Sequence, residues 1–310
     1  MRAETYSMKK PKLLVVLIGP TAIGKTALAI RLARHFDTEI ISADSRQFFR
    51  EMKIGTAAPS PIELKKVLHH FIGHKSISDE YSVGHFENES IPLINSLFEN
   101  KKTLILVGGS GLYIDAVLFG LDRFPAINPE YRLQLNTLLQ EKGIETLQNL
   151  LQQKDPVYFG KVDRDNPHRL IRALEVCLSS GKPYSAFLNQ KKTARHFQPL
   201  IIGLQTERKK LYERINKRVD QMVSDGLENE AKSLYPNKQL NALQTVGYQE
   251  FFDFFDGAIT REKAIESIKQ NTRRFAKRQI TWFKKYDATW FDGNSENYQA
   301  IIEFVQHKIS

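Results

Sequence analysis

The sequence predicts an α/β protein: a parallel-sheet core of the phosphate-loop type, with an inserted all-helical domain and further helices at the C-terminus. Three observations carry this. Short apolar runs of strand length alternate with stretches whose apolar residues repeat at helical spacing. A complete phosphate-binding loop follows the first apolar run. The middle of the chain has amphipathic helical texture and no convincing strand. With 310 residues, 41% of them hydrophobic and 26% charged, the chain is long enough for one large domain or two modest ones with real cores.

The elements follow in order. Lys12 to Ile18 is almost wholly apolar, as expected of a strand covered on both faces. Lys9, Lys10 and Lys12 give this start a superficial likeness to a signal peptide, but the apolar run is short and leads into the phosphate loop instead of a cleavage site. Ala27 to His35 reads as a helix with Leu28 and Leu32 on one face. Glu39 to Ser42 is a second strand, and Thr103 to Val107 a third, ending in Gly108-Gly109-Ser110-Gly111. Leu200 to Leu204 is a late fourth. Between Leu121 and Phe197 lie amphipathic runs such as Tyr131 to Glu141 and Asn166 to Leu178. The expected domains are therefore 1–120 with 198–310, and an insertion over 121–197. Leu211, Ile215, Val219 and Val223 mark another helix, and a last long helix covers Arg261 to Tyr286. No apolar run approaches the ~18–20 residues that span a bilayer.

Gly19-Pro20-Thr21-Ala22-Ile23-Gly24-Lys25-Thr26 matches the G-x-x-x-x-G-K-[ST] pattern in full, between a strand and a helix. Its glycines let backbone N–H groups turn onto phosphate oxygens, and the helix N-terminus adds a favourable dipole. Lys25 contributes a mobile charge, and the Thr26 hydroxyl suits a magnesium ion. The loop reads as a diphosphate or triphosphate site without distinguishing them. A nucleotide hydrolase also carries an Asp at the end of a later apolar strand. Here that strand ends in Gly-Gly-Ser, which weakens the hydrolase reading and leaves a kinase open. The sheet offers Asp44 instead, just after the second strand.

Net charge is +10, which favours polyanionic partners. The charge is concentrated: Arg261 to Lys285 holds nine Lys/Arg against two Glu, a net +7. A solvated helix or a membrane-surface element are the plainer readings of such a stripe; in a chain that also carries a phosphate site, contact with RNA phosphates is preferred. Cys177 is the single cysteine, which excludes an intrachain disulfide and a Cys-rich zinc site and fits a reducing compartment. It reads as a small apolar core residue. His70 and His74 stand four apart, but no third ligand accompanies them, and structural histidine is the better reading.

Several segments then stand in order: GPTAIGKT (19–26), ISADSRQFFREMKIGTAAP (41–59), HHFI (69–72), Tyr81-Ser82-Val83, LVGGSGLY (106–113), DRDNPHRLIRALEV (163–176), VGYQE (246–250) and TRRFAKRQITWFKK (272–285). Together they resemble the bacterial-type tRNA dimethylallyltransferase family, also called isopentenylpyrophosphate:tRNA transferases, from about residue 12 to 286. The resemblance implies transfer of a dimethylallyl group from dimethylallyl diphosphate to N6 of the adenosine beside the anticodon (position 37), with magnesium as cofactor. It further implies a target base taken out of its stack, the anticodon stem-loop as RNA partner, and a cytoplasmic protein acting as a monomer without a protein partner or a membrane.

The resemblance also assigns residues. Asp44 matches the general base, and could alternatively only orient the amine or cap the following turn. Thr21 and Arg218 join it as catalytic residues, Arg218 through the leaving group; a solvated helix charge is its plainer reading. The loop Gly19 to Thr26 holds the diphosphate. Contact with tRNA is implied for Asp44, Ser45, Arg46 and Gln47; for Ser110, where the family usually has threonine; for Arg132; for His168, Arg169, Leu170, Ile171 and Arg172; for Val246, Gly247, Tyr248, Gln249 and Glu250; and for Lys277, Arg278, Gln279, Ile280, Thr281, Trp282, Phe283 and Lys284. Of these, Trp282 and Phe283 read as core anchors more than as base-stacking platforms.

Overall fold

The computed structural model describes residues 12–190 and 194–309, which divide into two compact units. One unit runs to Phe119 and resumes at Arg195; the other is Gly120–Ala194. The insertion therefore begins one residue earlier and ends three earlier than 121–197. Its end is fixed by Arg195, whose guanidinium donates to the carbonyls of Ala116 and Val117 and pairs with Glu87, and by the buried Phe197.

The larger unit is organised by six parallel strands: β1 (Leu13–Ile18), β2 (Ile40–Ser42), β3 (His69–His70), β4 (Thr103–Val107), β5 (Gln198–Gln205) and β6 (Thr289–Asp292). Their spatial order is β3-β2-β4-β1-β5-β6. Every residue of β1 is buried, because both faces of the sheet are covered. Leu13, Val15 and Leu17 pack with α1 (Lys25–His35) and with Leu211 and Ile215. Leu14, Val16 and Ile18 pack on the opposite side with α2 (Val83–Asn100) and α3 (Gly111–Phe119). The period of two along a strand sends alternate residues to opposite layers.

After β5 the chain is mostly helical: α7 (Arg208–Ser224), α8 (Leu227–Leu234), α9 (Gln249–Phe255), α10 (Arg261–Phe283) and α11 (Tyr298–Ile309). A third apolar cluster joins Val219 of α7, Leu227 and Ala231 of α8, Phe251 of α9 and Ile268 of α10. The insertion holds α4 (Pro129–Lys142), α5 (Ile144–Lys154) and α6 (Pro167–Ser180) around its own core of Leu135, Leu147, Leu151, Leu170 and Leu174. The buried Cys177 belongs to α6, where its sulfur accepts from the N–H of Tyr184.

Two strands, β3 and β6, and several helices, among them α2, α3 and α11, lay outside the sequence expectation. β3 is two histidines and β6 is Thr-Trp-Phe-Asp, so neither reads as an apolar run. β6 lies against the core because Gly203 leaves room for the Trp290 ring. Helix α2 contains Gly84 and Pro92, which mask it. Its sequence signal was the Ser82 cap together with Phe86, Ser90, Ile94 and Phe98, buried four apart.

Candidate active site

In an open parallel sheet, ligands sit beyond the carboxyl ends of the strands, where the strand order reverses. Here β1 is followed in the chain by β2, but β4 lies between them. The turns after all three strands converge on a cavity of about 530 Å³. The turn after β1 supplies the phosphate loop, that after β2 supplies Asp44 to Gln47, and that after β4 supplies Gly108 to Ser110. Arg218 of α7 and Phe275, Arg278 and Gln279 of α10 complete the wall.

The phosphate loop ends where α1 begins at Lys25, with Gly24 left-handed at φ +104°. A side chain at Gly24 would also meet the Tyr298 hydroxyl, which donates to the Gly24 carbonyl at 3.0 Å. Lys25 Nζ lies 2.8 Å from the carbonyl oxygens of Gly19 and Pro20. Burial lowers its pKa to about 7; Asp44 opposes that shift and Arg218 adds to it. Burial raises the pKa of Asp44, against the N–H of Arg46 and the charge of Lys25. Asp44 Oδ1 accepts from that N–H at 3.1 Å, and the Gln47 N–H also favours the carboxylate, so Asp44 caps the turn that follows it.

Asp44, Lys25 and Arg218 thus share one cavity and one electrostatic field. Arg218 is largely desolvated, which pulls its pKa down, though a guanidinium stays charged. Its neighbour on the same face, Arg214, is committed elsewhere, to Gly293 and Asn294. Ser110 Oγ bonds both the N–H and the hydroxyl of Ser45 at 3.0 Å, so the hydroxyl at this position ties the turn after β4 to the turn after β2.

For magnesium, the cavity offers hard oxygens: the Thr26 hydroxyl and the Asp44 carboxylate both line it. The described residues contain no group of three or more His, Cys, Asp or Glu placed to hold a metal. A magnesium ion bound chiefly by phosphate oxygens and water takes only one or two protein oxygens. His70 Nε2 instead meets Glu39 at 2.6 Å, and His69 Nδ1 meets the Val67 carbonyl at 2.9 Å.

The remaining expected contacts divide by burial. Arg46 and Gln47 reach the cavity, but Arg46 donates to the carbonyls of Asn241 and Ala242, and Gln47 to those of Thr56 and Ala57. Val246, Gly247 and Gln249 line the cavity, whereas Tyr248 and Glu250 are internal. Tyr248 is fully buried and donates to Glu230. Glu230 also takes the N–H groups of Lys53, Ile54 and Gly55. Glu250 accepts from Gly247 N–H and the Asn271 amide. These two side chains brace the segment and present none of their polar atoms outward, which corrects the direct-contact reading for them.

On α10, Lys277, Arg278, Thr281 and Lys284 are exposed, Ile280 is half-buried, and Gln279 and Phe283 are buried. Trp282 is 37% exposed, lies against Gly111 and carries Lys285 Nζ 4.2 Å above its ring. It is an anchor only in part, unlike Phe283. Gln279 and Phe283 therefore leave the list of direct RNA contacts.

Within the insertion, Arg132 grips Glu175 through two bonds of 2.5 and 2.9 Å, and Arg172 approaches the same carboxylate at 3.7 Å. His168 and Arg169 are exposed at the start of α6. Leu170 and Ile171 are buried in the core, so their part is packing. Glu175, Glu230 and Tyr298 were not anticipated. Glu230 and Tyr298 lie in none of the quoted motifs, and Glu175, within DRDNPHRLIRALEV, gives no local sign of its partner Arg132, 43 residues earlier.

Compared with known proteins, residues 47–286 match the family model described as IPP transferase. The chain is 57% identical over 298 residues to a tRNA dimethylallyltransferase of Christiangramia forsetii, covering 96% of this chain and 98% of that one. It is 44% identical over 299 residues to tRNA dimethylallyltransferase 1 of Bacteroides fragilis, covering 96% and 99%. Among solved structures, the full-length tRNA isopentenylpyrophosphate transferase of Bacillus halodurans superposes with a TM-score of 0.71 at 38% identity, over 96% of this chain and 97% of that one. A eukaryotic dimethylallyltransferase acting on tRNA gives a TM-score of 0.81 at 27% identity, over 96% and 80%.

Proposed function

Because the chain belongs to the IPP transferase family, we propose that it transfers a dimethylallyl group from dimethylallyl diphosphate to N6 of the adenosine at position 37 of tRNA. The observation that carries the reading is the cavity itself: a diphosphate cradle and a carboxylate of raised pKa open on one space. The reaction forms a bond from N6 to the allylic carbon while the bond from that carbon to the diphosphate oxygen breaks. The amine proton goes to Asp44, and diphosphate leaves onto the phosphate loop.

Each residue has a physical task. Asp44 accepts the proton, and its burial brings it closer to the working pH of a base. Lys25 and Arg218, both desolvated by burial, neutralise charge that grows on the departing diphosphate. The loop N–H groups and the dipole of α1 hold the remaining phosphate oxygens. Magnesium, bound by Thr26 and the diphosphate, would supply further neutralisation of the leaving group. RNA phosphates would lie along Lys277, Arg278 and Lys284. Arg132, His168, Arg169 and Arg172 of the insertion offer additional cations. The same reading puts the protein in the cytoplasm, as a monomer; no helix among the described residues is long and apolar enough to cross a membrane.

The test is transfer of labelled dimethylallyl diphosphate to an unmodified anticodon stem-loop containing A-A-A, with wild type, Asp44→Ala and Lys25→Ala. Label on RNA with wild type, lost by about a hundredfold or more in both variants, is expected. Phosphoryl transfer from ATP without any label on RNA would return the chain to the phosphate-loop kinases.

A further inference from the structure

Helix α10 divides its labour by face. Lys277 and Arg278 are exposed, Arg278 beside the cavity, while Ala276, Gln279 and Phe283 are buried. Ala276 and Phe283 lie in the apolar layers on opposite sides of the sheet, so the helix is seated firmly on both sides of Gln279. Gln279 is 5% exposed and does not pack as a spectator. Its Oε1 accepts from the N–H of Thr21 in the phosphate loop at 2.8 Å. Its Nε2 donates to the carbonyl of Gly109, in the turn after β4, at 2.9 Å.

The two partners require opposite polarities, which fixes the amide orientation: oxygen to the N–H, nitrogen to the carbonyl. A carboxylate of the same length could serve Thr21 only, and a thioether neither. Room for this bridge depends on Gly109, because a Cβ there would stand 2.4 Å from Nε2. The same position is 3.7 Å from Asp44 Oδ2. The bridge therefore runs from the donor loop to the immediate neighbourhood of the base.

We propose that Gln279 is a positioning residue that sets the phosphate loop against the turn beside Asp44, so that the helix whose outer face takes RNA also shapes the diphosphate cradle. This rests on the proposed function for its RNA half, but the diphosphate half stands on the loop geometry alone. Gln279 holds the N–H of Thr21 in place and keeps the mouth of the loop at one width. Its loss leaves the part-buried Thr21 N–H and the buried Gly109 carbonyl without the partner that ties them together, and the loop is then free to shift.

The test uses the full chain and three readouts: the Kd for inorganic diphosphate by calorimetry, the KM for dimethylallyl diphosphate, and the Kd for tRNA. Gln279→Met keeps volume and charge and strips both bonds. It is expected to raise the diphosphate Kd and the donor KM by about tenfold, with tRNA Kd changed by no more than about twofold. Gln279→Asn is one methylene too short to span both partners, so it moves in the same direction and stands in if the Met variant does not fold. Lys277→Gln should show the reverse pattern, weaker tRNA binding at constant diphosphate Kd. Weakened tRNA binding with unchanged diphosphate Kd in both Gln279 variants, or no change in either quantity, overturns the proposal. A wild type that binds diphosphate but prenylates no RNA fails the proposed function instead, and the diphosphate Kd still reads the bridge.

Discussion

At the scale of single residues, the site works through two opposed pKa shifts in one cavity. Burial lowers Lys25 to about 7 and raises Asp44 above the ordinary carboxylate range. The signs give a pH profile. As pH rises through 7, the free protein loses the Lys25 ammonium and captures the anionic donor less well. As pH falls through the raised pKa of Asp44, the base is lost. A plot of kcat/KM for the donor should therefore be a bell with its alkaline limb near pH 7 and its acid limb shifted above the ordinary carboxylate range. In kcat the alkaline limb should move up, because bound diphosphate holds Lys25 charged. A kcat/KM that stays flat to pH 9 would refute this assignment of Lys25. Asp44→Asn should lower kcat by about a hundredfold or more with a smaller effect on diphosphate affinity, read by single-turnover kinetics. The motifs around 19–26 and 41–59 made these residues legible. The direction of their shifts was not, because desolvation depends on what closes over a side chain.

At the scale of elements, α10 and the segment Val246 to Glu250 each spend part of a motif's side chains on the fold. The cationic excess of α10 was plain in the sequence, and its outer face keeps Lys277 and Lys284 exposed. Replacing each by Gln should weaken tRNA binding and reduce the slope of log K against log salt by about one per lysine, measured by filter binding across a salt series. The sequence could not tell that Gln279, between them, turns inward. VGYQE likewise was found as a segment, but Tyr248 and Glu250 serve internal bonds. Glu230 of α8 anchors three N–H groups at 53–55 and the Tyr248 hydroxyl. Glu230→Ala should therefore cost about 2–4 kcal/mol of stability, measured by urea unfolding. A variant as stable as wild type would show that these donors find water instead.

At the scale of the whole molecule, the chain is two units with separate cores. Arg195 bonds the carbonyls of Ala116 and Val117, so the larger unit closes on itself where the insertion leaves and returns. Replacing 120–194 by a short Gly/Ser linker should leave a cooperatively folding protein that still binds inorganic diphosphate. Its tRNA affinity should fall by about tenfold or more, through loss of Arg132, Arg169 and Arg172. Loss of diphosphate binding in a folded deletion variant would contradict the independence of the larger unit.

What the sequence determined by itself is the part that local pattern carries. That part is the parallel α/β class, the strands that read as apolar runs, the phosphate loop between strand and helix, the helical insertion and the basic helix α10. Tertiary structure alone decided which polar side chains of those motifs face the cavity and which are spent on the fold. Gln279, Tyr248 and Glu250 look as available in the sequence as Asp44 does. Their bonds reach Thr21, Gly109, Glu230 and Asn271 from distant parts of the chain or across a buried turn, and no local spacing encodes such partners. Burial sets both the shifts of Lys25 and Asp44 and the commitment of these side chains, and burial exists only once the helices have closed over the sheet.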